Sequence, residues 1–474
     1  MTMKRKKLAS MLWTVGAAAL SETAAAATLD LYVDRKTQQI FAEPGPGRVK
    51  LGTFMQVDET AGAAPTTRNL PAAAVPSSAI AAAPAAEAKP AKPAEKKWYD
   101  RIALRGYTQL RYNQGLGGDA ADLRSPGDRF IGDNQGFGIR RARVVISGDL
   151  NDRVSIYLQP DFASTPTGST TSNFAQLRDA YADIYFDKNR EFRVRAGQSK
   201  VPYGWENLQS SQNRLTPDRA DALNSGVRDE RDLGLFFYYT PKHVQERFQY
   251  LVKSGLKGSG DYGVLGLGFY NGQGANRAEQ NNSLHTVLHF SYPFKFANGQ
   301  FFEVGADAYS GRFKIAAPGS ITVDGRSFTP KDTAPVNGSI DQRVAVHAIY
   351  YPQPFGLQAE WTVGRGPELD LSRRQIRTKS LRGGYVQAMY KIDGGSIGTL
   401  FPYLKWQTYR GASKFDTNTP RMLVDETEVG VEWQPNNAVE LAVAYANMRR
   451  TNVSSAPYRR IDGDLLRVQL QVNY

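Results

Sequence analysis

The sequence predicts an all-β protein, a transmembrane antiparallel β-barrel of about sixteen strands. A short periplasmic turn helix and an N-terminal periplasmic extension complete the expected architecture. Three observations carry this. From Trp98 onward, segments of about ten residues alternate apolar and polar side chains, which gives each strand two unlike faces. Long and short connections alternate between those segments, as in a barrel with turns on one side and loops on the other. Arginines such as Arg141, Arg143 and Arg195 sit mid-strand on the polar face, where a packed soluble core would reject them.

The chain of 474 residues opens with an address. Lys4, Arg5, Lys6 and Lys7 precede an apolar stretch from Leu8 to Leu20. Ala25-Ala26-Ala27 then satisfies the small-residue cleavage rule. Residues 1–27 therefore read as a secretory signal peptide with cleavage near Ala27. Residues 28–57 are expected to hold two or three short strands around a Pro-Gly turn at 43–47, too little to bury a core alone. Residues 58–97 are rich in Ala and Pro and read as a semi-extended linker. Residues 98–474 form the expected barrel.

The strands are expected near 102–113, 137–149, 153–162, 175–186, 191–199, 231–240, 262–271, 283–292, 300–311, 342–351, 356–364, 378–391, 399–411, 422–434, 438–448 and 464–474. Long connections fall near 114–136, 200–230, 312–341 and 449–463. One connection on the short side differs. His243 to Ser254 has helical spacing, with Val244, Phe248 and Leu251 on one face and Gly255 at the C-terminal cap position. Tyr107, Tyr112, Phe186, Tyr239, Phe269, Tyr270, Tyr292, Trp433 and Tyr474 fall near strand ends and are expected in interfacial girdles. The last strand places Tyr474 on the apolar parity. It resembles the C-terminal signal read by the outer-membrane barrel assembly machinery, although that signal most often ends in Phe.

Composition narrows the function. Lys+Arg is 59 against Asp+Glu 46, for a net charge of +13. The basic residues are scattered singly, which argues against nucleic acid as a partner. Cysteine is absent, which excludes disulfide scaffolds, thiolate metal sites and cysteine nucleophiles. His285 and His289 stand roughly 13 Å apart along one strand face, too far to chelate one metal directly. Gly394-Gly395-Ser396-Ile397-Gly398 matches Gly-x-Ser-x-Gly only in the connection between two expected strands, not in a strand-to-helix elbow, and no phosphate-cradling Gly-rich loop occurs. The glycines at 263, 266 and 268 lie in a strand, where close packing explains them. An enzyme, a metal site and a cofactor are therefore not expected.

The stretch Arg195-Ala196-Gly197-Gln198-Ser199-Lys200-Val201-Pro202-Tyr203-Gly204-Trp205-Glu206, followed by Arg231-Asp232-Leu233-Gly234-Leu235, resembles the phosphate-selective porin O and P family of Gram-negative outer membranes. The resemblance spans roughly 100–474. It implies a sixteen-stranded, usually trimeric barrel that conducts anions passively, with the loop after the fifth strand folded inward to narrow the pore. That loop would be 200–230 here. This sequence departs from the pattern: no lysine lies between Val201 and Glu230, and segment 200–231 is charge-neutral, which argues against tight phosphate selection.

Parity and the infolded loop select the expected pore-lining, anion-binding residues: Arg105, Arg111, Arg141, Arg143, Arg193, Arg195, Lys200, Arg214, Arg219, Arg228 and Lys405. A guanidinium binds an oxyanion through two parallel hydrogen bonds and keeps its charge. The same residues could instead pair with lumen carboxylates such as Asp161, Asp183 and Glu428. The leading expectation is passive diffusion of small anions, phosphate or other oxyanions among them. A general or carbohydrate-tolerant pore with weak charge preference is the alternative. A plugged structural or adhesion barrel, tethered to the envelope, is the alternative from another class. Expected partners are outer-membrane lipid and lipopolysaccharide, the assembly machinery, two further copies in a homotrimer, and peptidoglycan through 28–97.

Overall fold

The structure, a computed structural model, describes residues 28–34, 40–41, 43–46, 48–55, 97–123, 136–164 and 173–474. The signal-peptide reading of 1–27 and nearly all of the linker reading of 58–97 lie outside the described residues. The chain divides into two units, 1–91 and 92–474. In the first, Thr28–Asp34 pairs antiparallel with Ile40–Phe41 on one side and Arg48–Met55 on the other.

The second unit is a closed barrel of sixteen long strands. They are β1 (Ile102–Gly118), β2 (Gly136–Asn151), β3 (Val154–Ser164), β4 (Phe174–Tyr185), β5 (Phe192–Lys200), β6 (Arg231–Tyr239), β7 (Leu265–Tyr270), β8 (His285–Lys295), β9 (Phe301–Phe313), β10 (Ser339–Tyr350), β11 (Phe355–Asp370), β12 (Gln375–Tyr390), β13 (Thr399–Ala412), β14 (Arg421–Asn436), β15 (Val439–Thr451) and β16 (Arg460–Asn473). Each pairs antiparallel with the next in sequence. β16 closes on β1 through a ladder from Asn473↔Tyr107 to Gly463↔Gly118. No edge is left open, which a sheet crossing hydrocarbon requires.

The strand expectations hold in number and order. Their ends shift: β1 runs on to Gly118, and β7 keeps only six residues. The connection between β11 and β12, residues 371–374, is short although it lies on the long-loop side. The turn helix appears as Lys242–Lys253, with Val244, Phe248 and Leu251 buried and Gly255 at φ +68° after it. Residues 201–230, between β5 and β6, fold into the barrel and carry two single-turn helices, α1 (Trp205–Leu208) and α2 (Asp221–Asn224). The turn helix is α3.

The outer face is apolar, with Leu110, Phe237, Leu288, Val346, Trp361, Val386, Leu404 and Val429 all exposed. Phe186, Phe192, Phe355, Tyr390, Trp433 and Tyr474 stand exposed at the short-turn ends, and Phe192 stacks on Tyr239 at 4.5 Å. Two girdle assignments are corrected. Tyr107 and Tyr270 are 2% exposed and point into the lumen, because their strands place them on the same parity as Gln109 and Gly268. Inside, Tyr203, Leu223 and Val227 of the infolded segment pack against Phe236, Tyr309 and Tyr409 of the wall. The lumen is thus part apolar seat for the loop and part charged wall.

β7 shows why its glycines are there. A Cβ on Gly268 would lie 2.4 Å from the Phe236 ring and 2.8 Å from Val287 Cγ1. Overpacking of this kind costs about 1–3 kcal/mol. Gly268→Val is therefore expected to lower the urea midpoint for barrel unfolding, followed by tryptophan fluorescence, while Leu267→Val on the lipid face leaves it nearly unchanged.

Candidate functional site: the charged lumen and its infolded loop

The infolded segment is held by backbone amides and by wall charges. β5 ends at Lys200, whose Nζ donates to the carbonyls of Leu208 (2.7 Å) and Gln209 (3.0 Å) and so folds the loop back on itself. Gly204, in the left-handed region at φ +83°, turns the chain into α1. Its N–H donates to Asp307 on β9 at 2.8 Å. The next two N–H groups, of Trp205 and Glu206, donate to the two oxygens of Glu360 on β11 (2.6 and 3.1 Å). Single-turn helices leave their first N–H groups unpaired, and here two wall carboxylates accept them.

Glu206 links the loop internally and to the far wall. One of its oxygens accepts the Ala220 N–H at 2.7 Å, and the other accepts Lys405 Nζ of β13. Arg219 donates to the Glu206 and Gln209 carbonyls and pairs with Glu230 at 3.0 Å. Burial alone would raise the Glu230 carboxyl, but Arg219 and Arg231 outweigh it and hold it below its ordinary range. Arg343 of β10 caps α2 through the Ala222 and Ser225 carbonyls and the Ser225 hydroxyl. Arg450 of β15 bridges Asp221 of α2 and Glu426 of β14.

The third arc of wall, β1 and β2, meets the loop around Ser211 and Asp218. Gln109 donates to the Ser211 carbonyl at 3.0 Å, and Tyr107 and Arg143 reach its hydroxyl at 2.7 and 3.2 Å. Arg111 donates to Asp218 (2.8 Å) and to the Pro217 carbonyl (2.7 Å). Arg467 of β16 shares Asp218, and Arg140 lies 3.6 Å from it. Arg143 pairs with Asp161 of β3 at 2.9 Å.

Arg141 and Arg214 differ from these. Among the described residues neither has a carboxylate in salt-bridge contact. Arg141 donates one N–H to Gln109 at 2.7 Å, and its Nε has no partner. Arg214 donates to the Thr216 and Pro217 carbonyls, both at 2.9 Å, and its Nη1 has no partner. Both are 4% exposed. Arg141 feels the like charges of Arg140, Arg214 and Arg143. Burial, and then the nearby Arg219, push the Arg214 guanidinium down to about 9. A guanidinium does not surrender its proton near neutral pH, so both side chains stay cationic.

The other expected residues distribute as follows. Arg105 is exposed toward the short-turn end, bonded to Ser147 at 2.8 Å. Arg193 and Arg195 are buried on β5 and neutralised, the first by Asp261 (3.1 Å) and the second by Asp183 (2.8 Å). Arg195 also lies 3.9 Å over the Tyr181 ring. Lys200, Arg219 and Lys405 serve the loop scaffold described above. Arg228 sits apart, half-buried and 5.9 Å over the Phe415 ring. The structure thus gathers Arg111, Arg141, Arg143 and Arg214 at one point.

Sequence parity missed Arg140 and Arg178 for one shared reason. The register jumps from Gln109↔Arg141 to Leu110↔Ile139, so Arg140 is the extra residue of a β-bulge. It jumps likewise from Gln159↔Asp179 to Pro160↔Leu177, which makes Arg178 the extra residue in β4. Arg178 then reaches Asp229 of the loop at 3.0 Å. Two ionisable residues in a row within an alternating strand are the available signal of such a bulge. Arg343 was readable by parity. Arg450 fell beyond the expected end of its strand.

Asp307, His347 and Glu360 bring one ligand atom each within 4.8 Å of one another, a spacing compatible with a metal ion. Both carboxylates already accept the loop N–H groups described above, and Asp307 also bonds His289 Nδ1 at 2.6 Å. Loop anchoring accounts for the two carboxylates without a metal.

A closed barrel with an apolar exterior, a charged lumen and a loop folded across it defines the class of outer-membrane diffusion channels. The sequence matches the family described as phosphate-selective porin O and P over residues 110–474. The chain belongs to that family, and is an outer-membrane porin. No curated protein matches it significantly. Among solved structures it is similar to a loop-deletion form of the outer-membrane protein OmpT of Vibrio cholerae, at 12% identity, 79% of this chain and 100% of that one, with TM-score 0.46. It is also similar to the outer-membrane channel DcaP of Acinetobacter baumannii (13% identity, 79% and 97% coverage, TM-score 0.44). A third is OmpF of Salmonella typhi (16%, 79% and 97%, TM-score 0.49).

Glu360 is the clearest anchor to test. Leaving a buried N–H unpaired costs about 1–3 kcal/mol, and Glu360→Ala strands two. The expected outcome is a barrel that still refolds but shows larger, noisier single-channel currents and protease cleavage within 201–230. Glu440→Ala, on β15, is expected to change neither.

Proposed function

We propose that this porin conducts small anions in preference to cations, with oxyanions such as phosphate among its solutes. The observation that supports this is the pair of buried guanidiniums, Arg141 and Arg214, that have no carboxylate in salt-bridge contact among the described residues and keep an N–H without a partner. Arg141 stands among Arg140, Arg214 and Arg143, so an anion reaching it meets several positive neighbours. An oxyanion offers the paired acceptors that two guanidiniums want. The neighbouring charges are matched, so a passing ion finds one favourable site and is free to leave, as conduction requires. The neutral loop favours general anion preference over tight phosphate capture.

The second reading is a general diffusion pore with weak preference. The pairing of Arg193, Arg195, Arg450 and Arg467 with carboxylates favours it. Under either reading the protein acts as a homotrimer, matured by cleavage near Ala27 and inserted through the β16 signal ending at Tyr474. Residues 28–97 would face the periplasm and contact peptidoglycan there.

Reversal potentials in a potassium chloride gradient across a planar bilayer decide between the readings. Wild type is expected to favour chloride, and the double variant Arg141→Gln, Arg214→Gln to lose several-fold of that preference. A cation-selective wild type, or a double variant with unchanged preference, would defeat the anion reading. Folded protein with no conductance at all would support the plugged-barrel alternative instead.

A further inference from the structure

The lipid-facing side carries charges that the lumen does not explain. On β12 the outward residues run Tyr390, Ala388, Val386, Gly384 and then Arg382. On β13 they run Leu400, Pro402, Leu404, Trp406, Thr408 and then Arg410. On β11 the outward series Phe355, Leu357, Ala359, Trp361, Val363 ends in Arg365. The three arginines therefore lie just beyond the apolar band, on adjacent strands, at the end of the barrel that bears the long loops. Short turns mark the periplasmic side, so this is the outer-leaflet side.

Their register is unusual. Arg382 stands directly opposite Arg410, and Val363 stands opposite Arg382, which puts Arg365 on the adjoining diagonal. Directly opposed side chains on one face have Cβ atoms about 5 Å apart, and like charges there repel. All three are exposed, and none has a carboxylate in salt-bridge contact among the described residues. Arg365 bonds only Gln342, at 2.8 Å. The nearest outward acid along the belt, Asp425 on β14, is turned to Trp406 Nε1 at 3.1 Å and stands opposite Arg449. Arg449 in turn approaches Asp462 at 3.8 Å. Acid and base are matched from β14 to β16, and unmatched from β11 to β13.

We infer that Arg382 and Arg410, flanked by Arg365, form a binding site for a phosphate group of an outer-leaflet glycolipid. A phosphate between two guanidiniums accepts hydrogen bonds from both and turns their repulsion into a shared contact. The level of the site fits that ligand: acyl chains would lie along Val363, Val386 and Leu404, and the headgroup would meet the arginines. A soluble anion would gain nothing from that apolar wall. This site is independent of lumen selectivity and stands whether or not the pore prefers anions.

The test is native mass spectrometry of the full-length mature protein, purified in detergent and equilibrated with diphosphoryl lipid A. Wild type is expected to retain the lipid, and Arg382→Ser, Arg410→Ser to lose at least tenfold of the retention. The charge-conserving Arg382→Lys, Arg410→Lys should keep an intermediate share, which also guards against a serine variant that fails to fold. Heat-modifiable gel mobility reports folding in each case. Fully dephosphorylated lipid A should be retained no better by wild type than by the serine variant, and millimolar inorganic phosphate should not displace the diphosphoryl form. Equal retention by the folded serine variant would overturn the inference. So would equal retention of dephosphorylated lipid, displacement by free phosphate, or a change of oligomeric state in the serine variant, which would make this face a contact between copies.

Discussion

The rest of this molecule depends on one constraint: in hydrocarbon, every backbone N–H and C=O must find its partner within the protein. Sixteen strands meet it by closing on themselves, β16 to β1. Closure then dictates the side chains. Alternation sends one residue in two outward to lipid and the next inward, so a strand that crosses lipid must carry a second set of residues on the lumen face. Those inward residues can be charged because water and opposite charges are there to meet them.

The infolded loop settles how the inward charges are met. Glu360 and Asp307 would be two buried acids on the strands flanking β10, and the amides of Gly204, Trp205 and Glu206 satisfy them. Asp218 and Asp221 are loop acids taken up by Arg111, Arg467 and Arg450 of the wall. Loop and wall thus neutralise each other at nearly every contact. Breaking one partner of such a buried pair is costly, because it leaves the other charge buried alone. The same matching makes the exception informative: it stops at Arg141 and Arg214, and the proposed anion preference rests on those two cations.

The outer rim follows the same logic with a different partner. Facing lipid, Arg382 and Arg410 have no lumen wall or loop to supply an acid, and the neighbouring acids are committed to Trp406 and Arg449. Both unmatched places are therefore defined by what surrounds them, and each carries one of the two anion-binding proposals.

Strand number and order, the turn helix and the inward parity of Arg111, Arg141, Arg143, Arg193 and Arg195 were legible in the sequence, because alternation and helical spacing are local properties of a few consecutive residues. Tyr107 and Tyr270 were misplaced because nearness to a strand end says nothing of which face a residue takes. Arg140 and Arg178 were missed because a bulge depends on the partner strand's register, which no single segment contains. Pairing was equally out of reach. Arg195 meets Asp183 across a strand boundary, whereas Arg450 meets Asp221 from more than two hundred residues away. Period-two patterning is written along the chain, so a barrel with a charged interior follows from the order of residues alone. Which of those charges neutralise one another, and which remain, is set by distances between strands that meet only when the barrel closes.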